Sequence, residues 1–155
     1  GQDGNYIAQH STLVPSYARL LPTAVNLYVR NPYSSDVRAL QKQFFAFTTA
    51  ERIESYMHIV GSMTFDVSAS DTQTHRVALY FCDFERLGRS ITVEALDAVS
   101  GALLHSRVLT NYKEGVYLVY SYRGKILFRI RNNNPVSTAP TASISGFFWG
   151  GTGLP

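Results

Sequence analysis

The chain has 155 residues, an ordinary length for one domain, and its single cysteine rules out an internal disulfide. Fourteen Lys and Arg stand against eleven Asp and Glu, a formal charge of +3 with only 16% charged residues. That density, with no basic run longer than Arg129-Ile130-Arg131, argues against a nucleic-acid binder, and no stretch approaches the roughly 20 apolar residues of a membrane span.

In chain order, the first half is irregular: Pro15, Pro22 and Pro32 exclude long central strands there. Asp36 to Phe45 is the one weak helical stretch, where Asp36 could cap a short turn or the chain could run on as an extended strand. From Arg52 onward the pattern changes to period two, predicting strands at 52–59, 62–67, 75–82, 90–97, 103–109, 116–121, 125–131 and 142–149. Turn formers at Ser70-Asp71, Leu87-Gly88, Ser100-Gly101, Glu114-Gly115, Arg123-Gly124 and Asn132 to Pro135 separate them and predict successive hairpins. The expected fold is all-β, an antiparallel β-sandwich (jelly roll) with at most one short helical turn. Residues 1–149 read as a single domain and 150–155 as a flexible tail. The N-terminus lacks the charged-then-apolar pattern of an export signal.

Alternating connections place the loops 83–89, 110–115 and 132–141 at one end, and 68–74, 98–102, 122–124 and the exit near Trp149 at the other. On strand 52–59 the alternation predicts Ile53, Ser55, Met57 and Ile59 inward, with Glu54, Tyr56 and His58 outside. On 125–131 it predicts Lys125, Leu127, Arg129 and Arg131 outside, with Glu54 and Arg129 an ion pair if the two strands are neighbours.

Chemistry is sparse. His10, His58, His75 and His105 are scattered singly, so zinc is unsupported. Ser145 lacks the glycine frame of a nucleophile elbow. Asp83 and Glu85 could form a carboxylate pair, but Asp83 reads better as the partner of Arg89 across its own loop, with Glu85 solvated. Cys82 reads as a small buried hydrophobe. The chain is expected not to be an enzyme and to need no cofactor. A structural calcium ion held by aspartates such as Asp3, Asp66 and Asp71 stays open, though no EF-hand spacing appears.

The requirements for binding a sugar are looser: an aromatic face for the C–H side of a pyranose, and planar donors and acceptors for its hydroxyls. The chain carries ten Tyr, nine Phe and one Trp. Tyr112 beside Asn111 and Lys113 meets both needs, with Phe84, Arg86, Asn132 and Asn133 expected at the same end. Tyr33 and Trp149 are further ring candidates; Tyr33 is equally readable as packing, and Trp149 reads more readily as a core lid behind Phe147-Phe148. The positive charge tilts the expected ligand toward an acidic polysaccharide.

Several strings in order resemble a known module. They are Asp3-Gly4-Asn5-Tyr6-Ile7, Pro15-Ser16-Tyr17-Ala18, Ser35-Asp36-Val37-Arg38-Ala39-Leu40 and His75 to Phe84. Gly88-Arg89-Ser90, Thr92 to Ala98, Gly115 to Val119, Gly124-Lys125-Ile126 and Ser145-Gly146-Phe147-Phe148 continue the series. The chain resembles the accessory β-sandwich modules, galactose-binding or malectin-like jelly rolls, of secreted bacterial polysaccharide-degrading enzymes. The resemblance implies a carbohydrate-binding module that is extracellular and monomeric. Its partners would be a plant or algal polysaccharide and a glycoside hydrolase or polysaccharide lyase in the same parent chain, with neither nucleic acid nor membrane. It matches the polar positions Asp36, Arg38, Asp83 and Arg89, which pairing alone would also explain. The chain departs from the family at Asn111 to Glu114, where a Phe-containing loop is expected, and extends the loop at Asn132 to Pro140; such loops would select the glycan. The alternative reading is a spacer or domain-interaction sandwich without glycan affinity.

Overall fold

The computed structural model describes residues 2–42, 51–135 and 141–150, and among them it contains strands and turns but no helix. Two five-stranded antiparallel sheets face each other. The first orders β11 (Val116–Tyr122), β8 (His75–Phe81), β14 (Gly146–Gly150), β1 (Gly4–Ile7) and β2 (Ser11–Leu13). The second orders β10 (Leu103–Thr110), β9 (Ser90–Asp97), β12 (Lys125–Asn132), β7 (Ser62–Ala69) and β3 (Ala18–Pro22). A third sheet runs β13 (Thr141–Ile144), β6 (Arg52–Val60) and β4 (Asn26–Ser34), with the short β5 (Leu40–Gln41) also paired to β6. The chain is a β-sandwich.

Alternation builds the core. Met63, Phe65 and Val67 of β7 and Ile126, Phe128 and Ile130 of β12 point inward from one sheet; Val77, Leu79 and Phe81 of β8 and Phe147 and Trp149 of β14 meet them from the other. Rings interlock across the gap, Phe65 on Phe147 and Tyr120 on Phe128, each with centroids 4.9 Å apart. Each such side chain contributes about 1.5–3 kcal/mol by leaving water.

The strands from residue 52 onward fall where the periodicity predicts them, with one division: 142–149 is two strands, and the chain steps from the third sheet to the first at Ser145. The tail boundary also shifts, since Gly150 pairs with Arg76 as the end of β14; residues 151–155 lie outside the described residues. The expectation of successive hairpins is overturned more widely. From β6 to β12 only β9 and β10 pair across their own turn, while most other links cross between sheets. Both kinds of connection need the same short polar turns, so turn residues do not distinguish them.

Two prolines sit where a missing N–H is tolerated: Pro22 ends the edge strand β3, and Pro32 lies in the edge strand β4 inside the register shift between Asn31 and Ser34. Asp36 caps a single turn, its carboxylate accepting the Arg38 N–H at 2.9 Å and its carbonyl the Ala39 N–H at 3.0 Å, before β5 begins. The rest of the helical candidate, 43–45, lies outside the described residues.

On β6 the outward assignment fails. Glu54 and Tyr56 are buried and His58 is half-buried, because loop 83–89 packs over that face and the side chains of Tyr28, Arg30 and Ser34 on the neighbouring β4 lie against it. Glu54 meets Arg30 and accepts a hydrogen bond from Ser34 at 2.5 Å. Arg129 instead holds Glu94 at 2.5 Å, since the neighbours of β12 are β9 and β7.

Candidate functional site

The end of the sandwich bearing loops 83–89, 111–115 and 133–135 assembles as expected, but its polar groups are occupied. Asn134 accepts the Ser90 N–H at 2.5 Å and donates to the Gly88 carbonyl; Asn133 accepts from Thr92 at 3.0 Å and donates to Ser90; Asn132 bonds Asn134 in both directions. These amides fasten the loop to the start of β9. Arg89 holds Asp83 at 2.7 Å and Glu85 at 2.5 Å, so the expected Asp83–Arg89 pair forms. Glu85 is not solvated as expected, because it also accepts the Tyr56 hydroxyl at 2.6 Å.

Three expected binding rings are inside the protein. Tyr112 is 2% exposed, packed in the main core with its hydroxyl pushed to higher pKa by burial, and its carbonyl accepts from the Asp83 and Gly115 amides. Phe84 is buried in a second apolar cluster, and Trp149 is buried with its Nε1 donating to Tyr122 at 3.1 Å. A ring with no solvent face cannot stack on a sugar, so these three are corrected to packing residues. Asn111 and Arg86 remain exposed, both at positive φ, and Arg86 lies 3.6 Å from Glu114. Lys113 contributes its carbonyl, which accepts from Arg38 at 2.7 Å. Tyr33 is 72% exposed with the Lys42 ammonium 4.2 Å from its ring centroid.

The aspartates considered for calcium have protein partners: Asp3 accepts from Tyr17 at 2.8 Å, Asp66 meets Lys125 at 2.6 Å and Asp71 meets His75 at 2.7 Å. His75 is buried and stacked on Tyr17 at 3.9 Å, His58 packs edge-on to Tyr28 and Tyr56, and His105 edge-on to Tyr120. Burial raises the Cys82 thiol to about 12, as suits a packing residue.

An open aromatic surface lies elsewhere, on the outer face of the first sheet. Register sets Tyr117, Tyr80 and Gly146 side by side in one row and Val119, Ala78, Phe148 and Asn5 in the next. Tyr117 is 54% exposed; its ring lies 4.5 Å from Tyr80 and 5.9 Å, edge-on, from Phe148. Above this floor the segment 37–41 and Arg52 form a wall, enclosing a cavity of about 470 Å³. The wall is anchored by Tyr80, whose hydroxyl donates to the Arg38 carbonyl at 2.5 Å, and by Arg52, which donates to the Ala39 carbonyl at 2.8 Å. Arg38 grips Asp36 at 2.5 Å. Burial raises the Tyr117 pKa while the Arg52 charge opposes that rise.

A second cavity of about 370 Å³, lined by Arg76, Ala78, Val119 and Gly150, adjoins across Tyr117 and Phe148. Gly146 leaves room for the wall, since a Cβ there would come within 3.2 Å of Leu40 and 2.8 Å of the Tyr6 carbonyl. The result is an aromatic floor bordered by guanidinium, amide and carboxylate groups from Arg52, Gln41 and Glu114. Sequence reasoning passed over Tyr117 although its signal was present: within Val116-Tyr117-Leu118-Val119-Tyr120, the apolar Leu118 faces the core and leaves Tyr117 on the opposite face.

No protein-family model matches the chain, and no curated protein sequence does. Among solved structures it is similar to TmCBM61 in complex with β-1,4-galactotriose, with a TM-score of 0.43 and 14% identity over 86% of this chain and 88% of that one. It is also similar to a native family 35 carbohydrate-binding module from Clostridium thermocellum, with a TM-score of 0.40 and 10% identity over 94% and 98%. A third is a family 35 carbohydrate-binding module from an environmental isolate, with a TM-score of 0.39 and 16% identity over 82% and 93%.

Proposed function

We propose that the chain binds a polysaccharide without transforming it, in the groove floored by Tyr117 and Phe148. The observation that carries this reading is the half-exposed Tyr117 ring, 5.9 Å from Phe148, at the base of a cavity of about 470 Å³ rimmed by Arg52, Gln41 and Glu114. A pyranose lays its C–H face on such a ring and turns its hydroxyls toward planar donors and acceptors. The volume lies within the roughly 300–1,000 Å³ of small-ligand sites. The floor is built on paired strands, which hold the rings more rigidly than a loop would. In the wider setting, the chain is an accessory module of a secreted protein and brings an attached glycoside hydrolase or polysaccharide lyase to its polymer.

Affinity electrophoresis against a panel of plant and algal polysaccharides tests the reading. Retardation by at least one polymer is expected, and Tyr117→Ala should weaken it by about 1 kcal/mol or more, the scale of a lost aromatic contact. Because Tyr117 is half exposed, its melting temperature should barely move. Unaltered migration on every polymer would leave the spacer reading standing.

A further inference from the structure

We propose that the groove continues past Tyr117 over the free edge of β11 into a second sugar-binding subsite between β11 and β10, so that it holds a run of several sugars. This rests on the sugar-binding reading above and specifies its substrate class as an extended glycan chain, not a single sugar. A third cavity of about 380 Å³ adjoins the other two at Tyr117, which lines all three, and shares Val119 with the second. Five consecutive residues of β11, Tyr117 to Ser121, line it. Side chains alternate between the two faces of a strand, so a cavity touched by every residue lies against the strand's edge. That edge is open: among the described residues β11 pairs with β8 on one side and with no strand on the other. Its unpaired N–H and C=O groups are donors and acceptors of the kind a sugar's hydroxyls require.

The far wall comes from β10, whose register slips between Leu103, opposite Leu96, and His105, opposite Ala95. Unbroken pairing would set Leu104 opposite Ala95. The bulge sets His105 there instead, and Arg107 opposite Val93, on the face of β9 where Ala95, Val93 and Ile91 are buried. Bulges re-aim side chains in this way. The core-facing row of this edge strand therefore carries two polar side chains, both exposed, at the rim of the gap between the sheets. His105 stands edge-on to the Tyr120 ring at 5.7 Å, and Tyr120 lies on the inner side of β11 against Phe128. His105 and Arg107 thus face the β11 edge across the third cavity with planar hydrogen-bonding groups. From Tyr117 to Ser121 the edge runs about 13 Å at roughly 3.3 Å per residue, longer than one pyranose ring. A chain with one sugar stacked on Tyr117 can pass its next sugars along β11, where main-chain groups, His105 and Arg107 meet their hydroxyls.

Isothermal titration calorimetry of the full chain with oligosaccharides of two, four and six sugars tests this, the ladder being cut from whichever polymer of the electrophoresis panel retards the chain most. Affinity should rise about tenfold or more from the disaccharide to the hexasaccharide. In His105→Ala/Arg107→Gln that rise should shrink to about threefold or less, the scale of losing two hydrogen-bonding groups. The thermal melt should stay unaltered, because both side chains are exposed. Arg107→Gln alone should remove part of the rise, and Tyr117→Ala should weaken every member of the ladder. Equal affinity along the ladder overturns the second subsite and leaves the sugar-binding reading intact. A rise that survives the double variant places the further sugars elsewhere and overturns it too. If that variant then self-associates in sedimentation, the two side chains serve only to keep edge strands of separate copies apart. Unaltered migration on every polymer of the panel removes the sugar-binding reading itself.

Discussion

Tyr112 and Tyr117 lie five residues apart and have opposite fates. The Tyr112 ring is 2% exposed and Tyr117 54%. Tyr112→Ala should therefore cost about 3–5 kcal/mol in denaturant unfolding, the range for deleting a buried aromatic side chain, whereas any effect on glycan affinity should track the unfolded fraction. Between them, Gly115 has φ +86°, and a Cβ there would sit 2.2 Å from the Tyr80 hydroxyl. Gly115→Ala is thus expected to cost about 1–3 kcal/mol and to press Tyr80 away from the Arg38 carbonyl, reshaping the floor of the groove. Equal stability of wild type and Gly115→Ala would show that Tyr80 yields without loss. The exposed ring was readable from strand alternation. The buried one was not, because a turn-proximal Tyr gives no periodicity from which to assign a face.

At the scale of elements, loop 83–89 is tied to the third sheet through Arg89, Asp83, Glu85 and Tyr56. Asp83 is 2% exposed and the Arg89 side chain 7%. Arg89→Met should cost about 3–5 kcal/mol, because it strands a buried carboxylate. Burial alone would raise the Glu85 pKa above its ordinary 4.5, but the hydrogen bonds from Tyr56 and Arg89 outweigh it and leave the value lowered. Glu94 is lowered by its hydrogen bond from Arg129, and Asp36 by that from Arg38. Groups depressed in the fold contribute stability in full above their unfolded pKa and lose it as pH falls through the folded value. His58 is depressed by burial and then by Arg89, so it adds a loss of the same sign as pH drops from its unfolded value of 6.5. Melting temperature should accordingly be flat near pH 7–8, decline gently below about 6.5 and fall steeply below about 4.5. In Arg89→Met the drop between pH 5 and 4 should be smaller, since Glu85 loses one of the partners that held it ionised. A steeper drop in that variant would assign the acid sensitivity elsewhere. The pairing of Asp83 with Arg89 was legible from a six-residue spacing on one loop. The pairing of Glu54 with Arg30 and Ser34, and of Arg129 with Glu94, depended on which strands became neighbours.

Across the whole molecule, the two ends of the described chain are paired to each other. Gly4 stands opposite Trp149 and Ile7 opposite Gly146, so β1 covers one edge of β14, and β8 covers the other. Deleting residues 1–13 removes β1 and β2 and uncovers the edge of the strand that supplies Phe147 and Trp149 to the core and Phe148 to the groove. The truncated chain should lose at least 10 °C of melting temperature or unfold outright, as followed by circular dichroism. An unchanged melt would make the first two strands dispensable. Sheets assembled from strands so distant in sequence form late and cooperatively, because the loops between them must close before pairing rewards it.

The amino-acid sequence by itself determined the positions of the strands from Arg52 onward, the inward and outward faces of β12, and the gathering of three loops at one end. Each of these follows from local periodicity and turn chemistry, acting over a few residues. Only the tertiary structure decided that consecutive strands cross between sheets, that β6 is covered on both faces, and that an open aromatic surface lies on the outer face around Tyr117. Those outcomes depend on which strand lies beside which. Alternation says that a strand has two unlike faces, but solvent or a neighbour reaches each face through contacts made by residues far away in the chain.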